Sequence, residues 1–582
     1  MEKETGNIEK VRHSLAHLLA LMVKGKWSDT KLGMGPAIEN GFYYDFEFQN
    51  HTPSPEDLPK LEEDMKSLIK RDIMFAHEKV SIEEAKKLFQ GEPYKLELIK
   101  ELEQKNDNIS IYRSGELVDL CRGPHIESTK EINPEAFRLT KVAGAYWKGD
   151  ENNRMLTRIY GVAFETKEEL NDYLKNMEEA EKRDHRKLGK ELDLFTFSNL
   201  VGSGLPLFTP KGTLLRDLIG DKIYEIQSKF NYKKVWIPHI AKKELYETSG
   251  HWDKFKDGLF HVKGKSDTEF VMKPMNCPHH TQIYASSPKS YRDLPVRFVE
   301  ITTNYRDEQP GELLGLSRVR SLTQDDGHIF CAIEQVEEET KNIISVIREF
   351  YTLLDMFSKE DYWVSLSIKD SKTPEKYIGD EKHWTEAESI LEKVAKDEDL
   401  NYKKIEGEAA FYGPKLDFMF KDSLGREWQL ATIQVDFSMP ERFGLKYTDK
   451  DGDIKTPIMI HRAIAGSLER FLSVIIEHFA GEFPLWLSPV QAVIIPVSEK
   501  FNNYGEEVLA ELKKNNIRAE IDASNDTLGK RIRGAEMKKI PYIIVVGGKE
   551  EENKTISVRS REKGDEGAIT LDKFTEKIKK EI

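Results

Sequence analysis

The chain is predicted to fold as an α+β protein of several domains, and three observations carry that expectation. Its 582 residues exceed what one hydrophobic core organises, which implies about three to five domains. Through the middle of the chain, strand-like runs are interleaved with long helices, the pattern of a large, mostly antiparallel sheet flanked by helices. After Pro484, strands and helices alternate at short intervals, which indicates a separate α/β unit. Composition agrees, because 38% hydrophobic and 10% aromatic residues can build packed cores beneath a surface supplied by 33% charged residues.

Up to residue 165, alternating segments such as Gly-Phe-Tyr-Tyr-Asp-Phe-Glu-Phe (41–48) mix with helical ones such as Leu58–Lys70, so residues 1–165 are read as one α+β domain. Residues 166–192 are dense in Glu, Lys, Asp and Arg, lack Pro, and set Leu170, Tyr173, Leu174 and Met177 at helical spacing. They are read as a solvated helical linker. Residues 193–485 hold the expected helix Glu334–Lys359 and the strand-like runs Val296–Thr302, Tyr362–Ile368 and Glu427–Phe437. Residues 486–582 run strand (Ala492–Pro496), helix (Asn502–Asn515), strand (Arg518–Ile521), helix (Leu528–Lys538) and strand (Tyr542–Val546), a small domain of about one hundred residues. No internal repeat or low-complexity tract is present.

The formal charge of -14 argues against a surface coated for unspecific nucleic-acid binding. From Trp486 onward, however, 18 Lys plus Arg stand against 17 Asp plus Glu, so the last domain repels a polyanion least. The opening Met1–Lys10 has no apolar signal core, and no stretch approaches ~18 uninterrupted apolar residues. Neither secretion nor membrane spanning is expected. The three cysteines, Cys121, Cys277 and Cys331, show no paired spacing, which fits a reducing, cytoplasmic compartment.

Three distant residues stand in segments of chemical character: Cys277 in Met-Lys-Pro-Met-Asn-Cys-Pro (272–278), His328 in Thr-Gln-Asp-Asp-Gly-His-Ile-Phe (323–330) and His461 in Pro-Ile-Met-Ile-His-Arg-Ala (457–463). A thiolate with two imidazoles fills three of zinc's four usual positions and leaves one open for water or substrate. Tyr-Arg-Asp-Glu (305–308) follows a strand-like run, and an Arg there can grip a phosphate bidentately while Glu308, two residues on, shares its face and can accept from an adenine amino group. A surface salt bridge is the plainer reading of the same residues. In His461-Arg-Ala-Ile-Ala-Gly-Ser-Leu-Glu-Arg470, small residues precede a helical Arg, so a nucleotide can approach backbone while Arg470 meets its triphosphate. No Walker-type loop or dinucleotide fingerprint occurs.

These segments, with Gly-Leu-Pro-Leu-Phe-Thr-Pro-Lys-Gly (204–212) and Val-Trp-Ile-Pro (235–238), resemble the three motifs of class II aminoacyl-tRNA synthetases. The surroundings of Cys277, Gln324–His328, Phe411-Tyr-Gly-Pro-Lys415, Trp428–Phe437 and His461 resemble the threonyl-tRNA synthetases within that class, over nearly the whole chain. The resemblance implies an antiparallel class II catalytic core, an N-terminal editing domain and a C-terminal anticodon-binding domain. It implies a ligase that activates L-threonine with ATP and transfers it to tRNA(Thr). Cys277, His328 and His461 would hold one zinc per subunit; Arg306, Arg318 and Arg470 would bind ATP phosphates together with magnesium; Glu308 would meet adenine; and Gln324, Asp326, Tyr412 and Gln434 would line the threonine pocket. Segment Gly204–Arg216 would form a homodimer interface, and Arg559, in Ser-Val-Arg-Ser-Arg, is a candidate tRNA contact on a late strand of the last domain.

Coordination of a substrate hydroxyl by zinc excludes valine, whereas serine lacks only a methyl, a difference worth roughly 1 to 3 kcal/mol. That leak gives meaning to His13-Ser-Leu-Ala-His17 and Asp119-Leu-Cys121-Arg-Gly-Pro-His125. Spacing of four sets both histidines on one helical face, and spacing alone leaves open a four-ligand structural zinc. The resemblance points instead to hydrolytic editing of seryl-tRNA by His13, His17, Lys95, Cys121 and His125. Three departures from the family pattern stand out: a ubiquitin-like module that often precedes the editing domain is expected to be missing, His279-His280 replaces the commoner Gly-His, and Leu314-Gly315 replaces His-Gly. His185, His251 and His279 match no motif position and are read as surface or core residues, and Cys331 as a buried small hydrophobe. Prolyl, seryl and histidyl synthetases are opposed by the zinc trio and the editing motif. A non-enzymatic derivative is opposed by the retained arginines.

Overall fold

The computed structural model describes residues 7–105, 107–150, 152–255, 258–265 and 267–581, divided between two units, Met1–Glu178 and Glu179–Ile582. Part of the Met1–Lys10 segment read for a signal core lies outside the described residues. Among the described residues, no helix is long and apolar enough to cross a membrane.

In the first unit, the helix Asn7–Lys26 buries Leu15, Leu18, Leu19 and Val23 against Phe42, Tyr44, Phe46 and Ile159 of an antiparallel sheet. The sheet orders Lys31–Leu32, Gly41–Glu47, Met155–Ala163 and Phe137–Tyr146. Gly161 is required here, since a Cβ would stand 2.4 Å from the Phe42 ring. A second sheet, Phe75–Val80, Ile109–Ser114 and Leu117–Leu120, ends just before Cys121. Helix Pro93–Gln104 carries the buried Lys95.

The division between units falls within the helix Lys167–Arg183, and residues 166–192 do not form one solvated helix. The helix ends at Asp184, whose carboxylate accepts from the Arg186 N–H and starts a second helix, His185–Glu191, with His185, Leu188 and Gly189 buried.

The second unit is built on an eight-stranded sheet in the order Lys233–Lys234, Val296–Tyr305, Ser321–Cys331, Ile458–Ala463, Glu427–Asp436, Lys415–Lys421, Tyr362–Ile368 and Tyr402–Glu406. Only the two outermost pairings are parallel. Alternation along these strands divides the residues between two faces. Ile329, Ile433, Val435 and Ile460 join the core shared with helices Val336–Thr352 and Leu468–His478. Gln324, Asp326, His328, Gln434 and His461 take the other face, with His328 opposite His461 and His461 opposite Gln434. The helix expected over Glu334–Lys359 stops at Thr352, because Asp355 adopts a left-handed conformation (φ 55°) and the Met356 N–H returns to the Tyr351 carbonyl.

The last part of the chain forms a five-stranded sheet ordered Ala519–Ile521, Ala492–Pro496, Tyr542–Val546, Thr555–Ser560 and Gly564–Thr570. Its first three strands are parallel, as alternation with helices requires. Arg559, expected on a late strand, lies in Thr555–Ser560, while the partner strand Gly564–Thr570 and the helix Leu571–Glu581 go beyond the elements read from the sequence.

Candidate active site

Strand pairing and one helix start bring the three distant ligand candidates together. Cys277 opens the helix Cys277–Ala285, while His328 and His461 face each other on neighbouring strands. Their donor atoms lie within 4.8 Å of one another, and the residues are 5%, 1% and 6% exposed. His328 Nε2 stands 3.1 Å from His461 Nδ1. Behind them, His461 Nε2 meets Asp436 Oδ2 at 3.0 Å and His328 Nδ1 meets His280 Nδ1 at 2.7 Å. Burial, followed by the nearby Asp326 and Asp436 charges, pushes the Cys277 thiol well above its ordinary value, a direction that a bound cation reverses. Donor type, convergence and backing groups all fit a tetrahedral zinc.

The trio lines a cavity of about 360 Å³ whose wall includes Arg306, Gln324, Asp326, Tyr412 and Gln434. Tyr412 donates to Gln434 at 2.5 Å, Asn304 donates to Gln324 at 3.0 Å, and Asn276 donates to Asp326 at 2.9 Å. Burial raises the Asp326 carboxyl. A second cavity of about 360 Å³ is walled by Arg306, Glu308, Arg318, Gly466 and Arg470, and the two share Arg306, Gln324, Thr432 and Ala463. Gly466 has φ 66°, and a Cβ there would meet the Leu430 carbonyl at 2.7 Å. Arg318 pairs with Glu308 at 2.7 Å and Glu312 at 3.1 Å, so the residues expected to bind phosphate and adenine hold each other. Arg470 rests on the Ser317 carbonyl at 3.2 Å.

Several residues belong here to which the sequence alone assigns no role, although Lys415 and Asp436 lie in segments that carry the family resemblance. His251, expected to lack function, lines the first cavity; burial, then His461, Arg306 and Arg442, lower it to about 3, keeping a neutral imidazole. Lys415 lines the same wall and pairs with Asp417. His280 and Asp436 back the ligand candidates, and the Cys-Pro-His-His spacing is the available signal for His280. His185 has a structural role, joining Glu477 at 2.6 Å through Nδ1 and accepting from the Leu316 N–H at 3.0 Å through Nε2. That contact explains Gly315, where a Cβ would meet His185 Nε2 at 2.2 Å. His279 is buried, and Cys331 sits in the apolar core as expected.

In the first unit, His13, His17, Cys121 and His125 converge, with donor atoms within 4.8 Å. Cys121 Sγ lies 3.4 Å from His13 Nε2 and 3.3 Å from His125 Nε2, while Ser14 Oγ meets His125 Nδ1 at 3.0 Å. Lys95 pairs with Asp119, which also accepts from the Tyr44 hydroxyl at 2.6 Å and lies 3.6 Å from His17. Asp119 and Tyr44 extend the cluster beyond its predicted members. Burial lowers all three imidazoles and pushes the Cys121 thiol up to about 12. Neutral imidazoles beside a protonated thiol can hold a water and accept its proton.

Residues 260–479 match the class II tRNA synthetase core domain (G, H, P, S and T), residues 491–581 the anticodon binding domain, and residues 109–160 the threonyl and alanyl tRNA synthetase second additional domain. The chain is 49% identical over 578 residues to the threonine–tRNA ligase of Gloeobacter violaceus, covering 98% of this chain and 91% of that protein. It is 49% identical over 585 residues to a threonine–tRNA ligase of Thermus thermophilus, covering 97% and 87%. Among solved structures, it resembles the RNA binding domain of threonyl-tRNA synthetase from Cryptosporidium parvum (36% identity, TM-score 0.65, covering 68% of this chain and 98% of that one). It also resembles a threonyl-tRNA synthetase from Aeropyrum pernix (28% identity, TM-score 0.60, covering 68% and 96%).

Proposed function

This chain belongs to the threonyl-tRNA synthetase family, and from that premise we propose how its residues divide the work. It is a threonine–tRNA ligase: ATP activates L-threonine as threonyl-adenylate with release of diphosphate, and the 3′ end of tRNA(Thr) then takes the threonyl group and releases AMP. The observation that carries the division of roles is the shared wall of the two cavities. The first is walled by ligand candidates and amides, the second by arginines, and Arg306 stands where an amino-acid carboxylate and an α-phosphate would meet. Attack of one anion on another needs alignment and charge neutralisation more than a base. Arg306, Arg318 and Arg470 supply cationic charge on this reading, with magnesium sharing the triphosphate, and Arg318 must exchange Glu308 and Glu312 for phosphate. Glu308 is then released toward adenine.

Cys277, His328 and His461 would hold zinc, which when bound supplies a Lewis-acid position for vicinal amino and hydroxyl groups. Asp326, Gln324, Tyr412 and Gln434 orient the amino acid around it. Valine is refused for want of a hydroxyl, and serine passes. The His13, His17, Lys95, Cys121 and His125 cluster, extended by Asp119 and Tyr44, hydrolyses seryl-tRNA. Leu200 at 99% exposure and Trp236 at 76% are large apolar side chains open to solvent, and with the Gly204–Arg216 segment they support a homodimer. The setting proposed is the cytoplasm. ATP–pyrophosphate exchange across Thr, Ser, Val and Pro tests the reading: exchange with Thr, weak exchange with Ser and none with Val supports it, whereas strong exchange with Val or Pro overturns it.

A further inference from the structure

His280 is fully buried, one helical turn after Cys277 on the same helix, and its Nδ1 stands 2.7 Å from Nδ1 of His328. At that separation one nitrogen must donate and the other accept. Which one donates decides whether His328 can bind a metal at all. His328 Nε2 faces His461 Nδ1 and has a lone pair to offer only if the His328 proton sits on Nδ1. His280 Nδ1 must then be the acceptor, and its own proton must sit on Nε2.

The group facing that second nitrogen is a carboxylate. His280 Nε2 and Glu300 Oε2 lie 3.8 Å apart, and neither has a hydrogen-bond partner among the described residues. Glu300 is itself buried, with its other oxygen taken by the Ile237 N–H at 3.0 Å. A proton on His280 Nε2 is attracted to this carboxylate, whereas the opposite tautomer would turn a lone pair toward it. The buried carboxylate therefore selects the His280 tautomer, and His280 selects that of His328. His461 receives the same service directly from Asp436, whose Oδ1 is held by the Ser438 and Met439 N–H groups.

We propose that His280 and Glu300 form a positioning pair that fixes the metal-binding tautomer of His328. The inference rests on the zinc reading above. It assigns to His280 a role that reaches substrate only through His328 and the metal, and it explains why a histidine outside both cavity walls is fully buried beside a carboxylate.

The test compares zinc affinity, by competition with a chromophoric chelator, and the visible absorption of the cobalt-substituted protein in the parent, His280→Leu, His280→Gln and Glu300→Gln. Gln can accept from His328 Nδ1–H and donate to Glu300, so it rescues what Leu removes. His280→Leu is expected to weaken zinc about 10- to 100-fold and shift the cobalt bands, while His280→Gln stays within about threefold of the parent. Parental affinity in His280→Leu, or equal weakening in both, overturns the proposal, the latter marking a packing role. If His280→Leu does not fold, Glu300→Gln decides: weakening of about threefold or more with a cobalt shift supports the pair, and parental values sink it. A parent that holds no zinc would instead refute the zinc reading itself.

Discussion

The Arg462 and Asp325 side chains are both 0% exposed and meet at 2.8 Å, with Arg462 lining the first cavity. Asp325 alternates with Gln324 and Asp326 on its strand, and Arg462 follows His461, so this ion pair ties the two strands that carry His328 and His461. Arg462→Met keeps most of the volume but strands a buried carboxylate. Breaking such a pair costs about 3–5 kcal/mol. Asp325 retains the Ile464 and Ala465 N–H groups at 2.7 and 3.2 Å, which places the loss near the lower end, about 3 kcal/mol or roughly two decades in an opening equilibrium. Hydrogen exchange followed by mass spectrometry over Ser321–Cys331 and Ile458–Ala463 should therefore quicken about 100-fold in strands that otherwise open rarely. Zinc affinity should fall with it. Asp325→Asn/Arg462→Met removes the stranded charge while keeping an acceptor, and should recover more than half of the lost protection. Exchange within about tenfold of the parent in Arg462→Met, or no recovery in the double variant, would refute the account.

The purified protein should carry one zinc per chain, lost in Cys277→Ser and His461→Ala together with threonine activation; metal analysis showing a zinc-free, fully active enzyme would contradict this. The double variant His13→Ala/His17→Ala should charge threonine normally but accumulate seryl-tRNA. Unchanged deacylation, with a second zinc in the parent protein, would favour a structural metal at that cluster. The three imidazoles there are held below their ordinary value, so the unfolded state binds more protons below about pH 6.5. The first unit should lose thermal stability as pH falls through that point, and a midpoint flat from pH 7.5 to 5 would count against the burial argument. Light scattering should give a dimer mass that falls toward the monomer in Leu200→Glu/Trp236→Glu; a monomeric, fully active parent excludes the interface. Arg559→Ala, which loses a pair with Glu536 at 3.4 Å, should weaken aminoacylation and spare ATP–pyrophosphate exchange, whereas equal loss of both would indicate a folding defect.

Local order was legible wherever it is governed by neighbouring residues. Tyr362–Ile368, Ala492–Pro496 and Tyr542–Val546 form strands with the limits their apolar patterns imply, because β-branched and aromatic runs of that length bury well in a sheet. The Gly564–Thr570 strand carries no such apolar run, and its place was set by pairing with Thr555–Ser560 rather than by propensity. The Cys277, His328 and His461 trio could be nominated because each residue sits in a segment of distinctive chemistry.

Residue identity and spacing thus determined which elements form, which family the motifs resemble, and which side chains can ligate or neutralise charge, since all of these depend on chemistry carried within a few residues. What surrounds each group was decided only in the folded chain. His280 against His328, Asp436 against His461, His251 in the cavity wall and His185 between Glu477 and Leu316 are encounters across up to 292 positions of sequence. Strand register and helix packing create them, and no local pattern encodes that register. Burial, tautomer and charge state follow from those encounters, because the free energy of a proton or an ion is set by the few groups within about 4 Å of it in space.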